Sequence, residues 1–120
     1  MNAKQFRRLV LGLESVTEGA HMGHPDFRLD GRIFATLTAD EKTGMVSLTP
    51  EQQERFMREH PATFTPAAGA WGRGGSTLVP LAAADPDVVG EAATLAWQNA
   101  AAKNAAKKSS RSRPRRRSTR

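Results

Sequence analysis

The sequence predicts an α+β fold, a small sheet built from hairpins with helices before and after packed on it. Three observations point there. Asp30-Gly31 stands between two strand-like runs, Phe27–Leu29 and Arg32–Thr38. That dipeptide favours a type I′ turn, whose twist matches the flanking strands. An amphipathic stripe precedes the hairpin, and two residue pairs suited to starting helices, Thr49-Pro50 and Asp85-Pro86, follow it.

Taken in order, Asn2 to about Val16 reads as a helix. Phe6, Leu9, Val10 and Leu13 recur at i, i+3, i+4 and i+7, while Lys4, Arg7, Arg8 and Glu14 lie mostly off that stripe. Gly12 weakens the helix by about 1 kcal/mol relative to alanine. Glu18 to His24 is expected to form a first strand, stopped at Pro25. The central hairpin follows, with Ile33, Ala35 and Leu37 alternating against Phe34 and Thr36. Asp40 to Gly44 is a second hairpin loop leading into Met45 to Leu48.

Thr49 caps the next helix, Pro50 suits its first position, and Gln52 completes a capping box. This helix should run to about Glu59 and stop before Pro61. Residues 61–75, with Trp71 among glycines, read as a long loop with a short strand near Thr63 to Thr65. Ser76 to Leu81 is a last strand, and Pro80, which lacks a ladder donor, places it at an edge or near its end. From Asp85-Pro86 a final helix carries Val88, Val89, Ala92, Ala93, Leu95, Ala96 and Trp97, and alanine-rich sequence extends it towards Lys107. Ser109 to Arg120 holds nothing to bury and is expected to be disordered.

At 120 residues the chain is long enough for one core without metal or disulfide support. It has no cysteine, which removes thiol chemistry and agrees with a reducing interior. Lys4, Arg7 and Arg8 are followed only by the short run Leu9 to Leu13, too brief for a signal peptide, and no stretch reaches membrane length. A cytoplasmic protein is expected. The net charge of +6 is unevenly placed. Residues 1–102 hold nine Lys and Arg against all twelve Asp and Glu, so the body is mildly acidic. Residues 103–120 hold nine cations and no acid: Lys103, Lys107, Lys108, Arg111, Arg113, Arg115, Arg116, Arg117 and Arg120. The chain therefore divides into a body, 1–102, and a basic tail, 103–120.

Candidate chemistry is sparse. His21, His24 and Asp26 invite a metal reading, but residues three apart on an extended strand point to opposite faces, and His60 is distant in sequence. Turn and packing roles account for these histidines, and no metal or cofactor is expected. Trp71-Gly72-Arg73-Gly74-Gly75 offers backbone N–H groups and an arginine to a phosphate. It lacks the P-loop lysine and the third glycine of the dinucleotide fingerprint, so a turn that lets Trp71 pack under the sheet is the plainer reading. No serine or threonine stands at a recognisable spacing from a base, and no catalytic role is assigned. The tail's charge suits nucleic-acid phosphates through counterion release, without base readout. A solubilising tail, or one folding back on the acidic body, is the alternative. Arg28, Arg32, Lys42 and Arg73 lie near the hairpins and glycine run and form a possible minor patch on the body.

The series Gly23-His24-Pro25-Asp26-Phe27-Arg28, Gly31-Arg32-Ile33-Phe34-Ala35-Thr36-Leu37 and Trp71-Gly72-Arg73-Gly74-Gly75-Ser76-Thr77, followed by Leu81-Ala82-Ala83-Ala84-Asp85 and Leu95-Ala96-Trp97-Gln98-Asn99, resembles the MmcQ/YjbR family over about residues 5–103. The resemblance implies an antiparallel sheet with about three helices mainly on one face, of the secretion-chaperone and frataxin-like type. It also implies DNA binding by a double-wing motif, the wings here being the hairpins that turn at Asp30-Gly31 and at Asp40 to Gly44. It brings no catalytic set. The second wing offers only Lys42 beside Asp40 and Glu41, so DNA contact is expected to depend on the tail. Two functional readings result. One is a non-enzymatic nucleic-acid-associated protein, contacting DNA backbone with little sequence preference. The other is a protein- or small-ligand-binding adaptor with a pocket by Trp71 and Arg73.

Overall fold

The computed structural model describes residues 1–112, and these form a six-stranded antiparallel sheet and four helices. In chain order they are α1 (Ala3–Leu11), β1 (Val16–His21), β2 (His24–Leu29), β3 (Arg32–Leu37), β4 (Thr43–Ser47), α2 (Pro50–Glu59), β5 (Thr65–Pro66), α3 (Gly69–Arg73), β6 (Ser76–Pro80) and α4 (Pro86–Ser112). The strands lie in the order β1-β2-β3-β4-β6-β5. The α+β class and the sheet of hairpins are as the sequence predicts.

One face of the sheet is the core. Phe27, Leu29, Ala35, Leu37, Val46, Val79 and Leu81 are buried there. Against them lie Phe6 and Val10 of α1 and the alanine-rich stripe Val89, Ala92, Ala93, Ala96 and Ala100 of α4. These positions follow the three-and-four spacing of one helix face, and the small side chains let α4 settle closely across the central strands. The central helix is flanked by α1 and by α2, whose Arg55 pairs with Glu91 of α4 at 3.0 Å.

Asp30-Gly31 turns as expected, with φ of 50° and 81°. Met22-Gly23 makes a second turn of the same kind, φ 51° and 79°, where one continuous strand was expected. Pro25 therefore does not end a strand but lies within β2, opposite Ala20. Pairing of β2 with β3 starts only at Asp26, so the N–H that proline lacks is not required there. The first helix stops at Leu11, short of Val16, with Gly12 as its cap and Ser15 left-handed at φ 66°. A β-bulge between β2 and β3 leaves Phe34 as the extra residue, which lets adjacent Phe34 and Ala35 both be buried.

The expected loop 61–75 contains α3, a helix the glycines disguised. Pro80 is the last residue of β6, and the short predicted strand appears as β5. The boundary drawn at residue 102 falls inside α4, which continues through Ser112. Alanines and lysines are good helix formers, and the extension is also tied back to the body, so the helix outlasts its buried stripe. Among the described residues no helix is long and apolar enough to cross a membrane.

Candidate nucleic-acid interface

Where α4 leaves the core it passes the β2–β3 turn, and Asn104 joins the two. Its Nδ2 donates to the Leu29 carbonyl at 2.9 Å, and its Oδ1 accepts from Arg32 Nε at 2.9 Å. Asn104 continues the stripe Ala96-Ala100 by one further turn, so a polar side chain replaces apolar packing at the point where the helix meets backbone. The consequence is a recess of about 550 Å³ between turn and helix, lined by Asp30, Arg32, Lys107 and Lys108 among others. A second recess of about 300 Å³ shares Arg32 and continues past Lys103 and Asn99 to Thr49 and Gly74. Across the two linings, four cations meet one carboxylate, Asp30. Lys103 and Lys107 are exposed and one helical turn apart, and the same spacing reaches Arg111 in the sequence.

The far side of this trough is held by side chains from α2 and α4. Gln52 Oε1 accepts from the Thr49 N–H at 2.9 Å, closing the capping box, and from Asn99 Nδ2 at 2.8 Å. Asn99 Nδ2 also lies 3.1 Å from the Ser47 carbonyl. Below it, buried Gln53 donates to the Gly72 carbonyl (3.0 Å) and to Thr77 Oγ1 (3.1 Å), and Thr77 Oγ1 in turn donates to the Gly75 carbonyl at 2.8 Å. This network organises the glycine run. A methyl at Gly72 would collide with the Ala67 carbonyl, and one at Gly75, where φ is 115°, with the Leu48 carbonyl. These two glycines allow close backbone approach within the protein, and this replaces the phosphate-loop reading.

The remaining predicted residues are dispersed. Arg28 is committed to the sheet face opposite the helices, where it grips Asp26 with two bonds, Nε–Oδ1 at 2.7 Å and Nη2–Oδ2 at 3.0 Å. His21 Nδ1 approaches Asp26 Oδ2 at 2.7 Å, and Gly19, the cross-strand neighbour, leaves room for both partners. The Arg28 guanidinium, with His21 contributing less, holds the Asp26 carboxyl below the usual carboxylate range although burial opposes it. His21 and His24 face one another across the Met22-Gly23 turn, whereas His60 packs by Phe56 and Phe64. Among the described residues no group of three or more His, Asp and Glu is placed to hold a metal.

Lys42 sits in the β3–β4 loop beside Asp40, which accepts from its backbone N–H at 3.0 Å. That loop and the Asp30-Gly31 turn lie at opposite ends of β3, about 17 Å apart for a six-residue strand. Consecutive hairpins that share β3 turn at its opposite ends, so the two loops project from opposite ends of that strand. Glu41, in the second loop, is tied to α1 instead, accepting from Arg7 at 2.7 and 3.0 Å. Arg73 ends α3, and Trp71 does not pack under the sheet: it is 78% exposed. Arg32 alone of the four body cations joins the helix lysines. Arg113, Arg115, Arg116, Arg117 and Arg120 lie outside the described residues.

Asn104 and Gln53 escaped the sequence reading. The signal for Asn104 was present, as the polar residue next in register on an otherwise alanine stripe.

Comparison with known proteins agrees with this architecture. The fold is similar to the crystal structure of Deinococcus radiodurans protein DR2400, a DUF419 domain, with a TM-score of 0.70 at 17% identity over 86% of this chain and 80% of that one. No curated protein matches the sequence significantly. The YjbR family model matches residues 11–99, which takes in the sheet, Arg32 and the glycine run and stops short of Lys103. The chain belongs to the YjbR family.

Proposed function

We propose that this protein is a non-enzymatic, nucleic-acid-associated protein of the cytoplasm that holds phosphate backbone, most simply that of DNA, with little sequence preference. The observation that carries this reading is the gathering of Arg32, Lys103 and Lys107 around one trough on a body that is otherwise acidic. Three converging cations supply a surface potential that attracts phosphates, whereas cations already held by carboxylates, Arg7 by Glu18 and Glu41 and Arg28 by Asp26, supply little. The basic sequence from Arg111 onward adds contacts of the same kind. The alternative is a protein- or small-ligand-binding adaptor with a pocket near Trp71 and Arg73, where the indole is exposed.

The test is a salt series of DNA binding by the full chain and by its Arg32→Glu, Lys103→Glu and Lys107→Glu variants. Each lost phosphate contact lowers the slope of log affinity against log salt by about 0.9 for duplex and about 0.7 for a single strand. With six or more contacts, the unaltered chain should lose about 10³ in affinity between 50 and 200 mM salt. Slopes that stay at the wild-type value in all three variants would remove the trough from the interface.

A further inference from the structure

We infer that the nucleic acid taken by this trough is single-stranded, and that Trp71 is the platform on which one of its bases stacks. The inference rests on the nucleic-acid reading above and adds the form of the strand. The second recess ends at Gly74, the residue capping α3. The Gly74 N–H donates to the Trp71 carbonyl at 3.2 Å and to Ala70 at 3.0 Å, so Trp71 stands one turn of helix from the end of the cationic path. Its ring is 78% exposed, whereas the chain's other tryptophan, Trp97, is half-buried and donates its Nε1–H to the Glu14 carbonyl at 3.0 Å. Arg73 beside it carries no ion pair among the described residues.

An exposed indole beside Arg73 and at the end of a cationic recess is the combination that unpaired bases use. The backbone follows the positive groove while any base offers its π-face, which makes binding tolerant of sequence. In a duplex those faces are already covered by neighbouring bases, and an indole at the groove's end gains nothing. The path therefore runs from Lys107 past Arg32 and Lys103, carrying phosphates, to Trp71, carrying a base.

The experiment uses the full chain with oligothymidylate and with a duplex of equal length, followed by anisotropy and by tryptophan fluorescence. Tighter binding of the single strand is expected, with quenching that disappears in Trp71→Ala. That variant should bind oligothymidylate about five- to a hundredfold more weakly with an unchanged salt slope, and Trp71→Phe should recover most of the loss. Because the ring is exposed, the urea midpoint should not move, which separates lost stacking from lost folding. Preference for the duplex, or wild-type single-strand affinity in Trp71→Ala, would overturn the inference while leaving phosphate binding standing. Binding of neither form would overturn both.

Discussion

Asn104→Ala tests whether the basic end of α4 is a positioned element or an independent arm. The substitution removes the donor to the Leu29 carbonyl and the acceptor for Arg32 Nε, both at 2.9 Å. A hydrogen bond of the first kind contributes about 1 kcal/mol, and one to a charged group somewhat more, though the half-exposed Arg32 recovers part of that from water. Alanine returns about 0.5 kcal/mol as the better helix former. The balance is a loss of about 1–2 kcal/mol, concentrated beyond Ala100, the last residue of α4 that is buried among those whose burial is described. Opening of residues 103–108 should therefore rise about five- to thirtyfold, read as faster amide exchange there, with the central strands much less affected. Nucleic-acid affinity should fall a few-fold with it, because Lys103 and Lys107 no longer hold a fixed distance from Arg32. If exchange in this segment instead slows or stays the same, helix propensity outweighs the tie to the turn, and the trough is not held by Asn104.

Three further outcomes follow from the described contacts. Asp26→Asn should lower the urea midpoint at neutral pH and flatten the acid limb of the stability curve. Asp26 is held below its ordinary pKa, so its contribution is fully present above the unfolded value near 3.8 and is lost as pH falls through the folded value. A variant curve that still falls as steeply below pH 4 would locate acid sensitivity elsewhere. Gly75→Ala forces a side chain against the Leu48 carbonyl at a φ of 115°, and a loss of at least about 2 kcal/mol in urea unfolding is expected. Gln53→Leu leaves the Gly72 and Ser76 carbonyls without their side-chain donor, and should cost about 2–3 kcal/mol while thermal melts stay cooperative.

Legibility followed the range of the physical signal. The Asp30-Gly31 turn, the capping box Thr49–Gln52 and the proline start at Pro86 are each decided within four residues, and each lies where the sequence places it. The Met22-Gly23 turn was hidden because methionine rarely adopts a left-handed backbone, and because Pro25 imitates a strand end. The helix α3 was hidden because Gly72 and Gly74 read as loop, although Gly72 serves contact with Ala67. Lys103 and Lys107 were expected to meet phosphate from charge alone, as members of a loose tail, whereas the structure places both on α4.

By itself the sequence determined the fold class, the amphipathic faces, the acidic body and the basic end. These depend on local propensity, periodicity and composition, which a linear chain displays directly. Only the tertiary structure decided which cations lie together. It set Arg28 against Asp26, drew Lys42 and Arg73 apart, and brought Arg32 to Asn104 across 72 residues. Convergence of that kind depends on where α4 crosses the sheet, and the crossing is set by the packing of a small-residue helix face over the central strands.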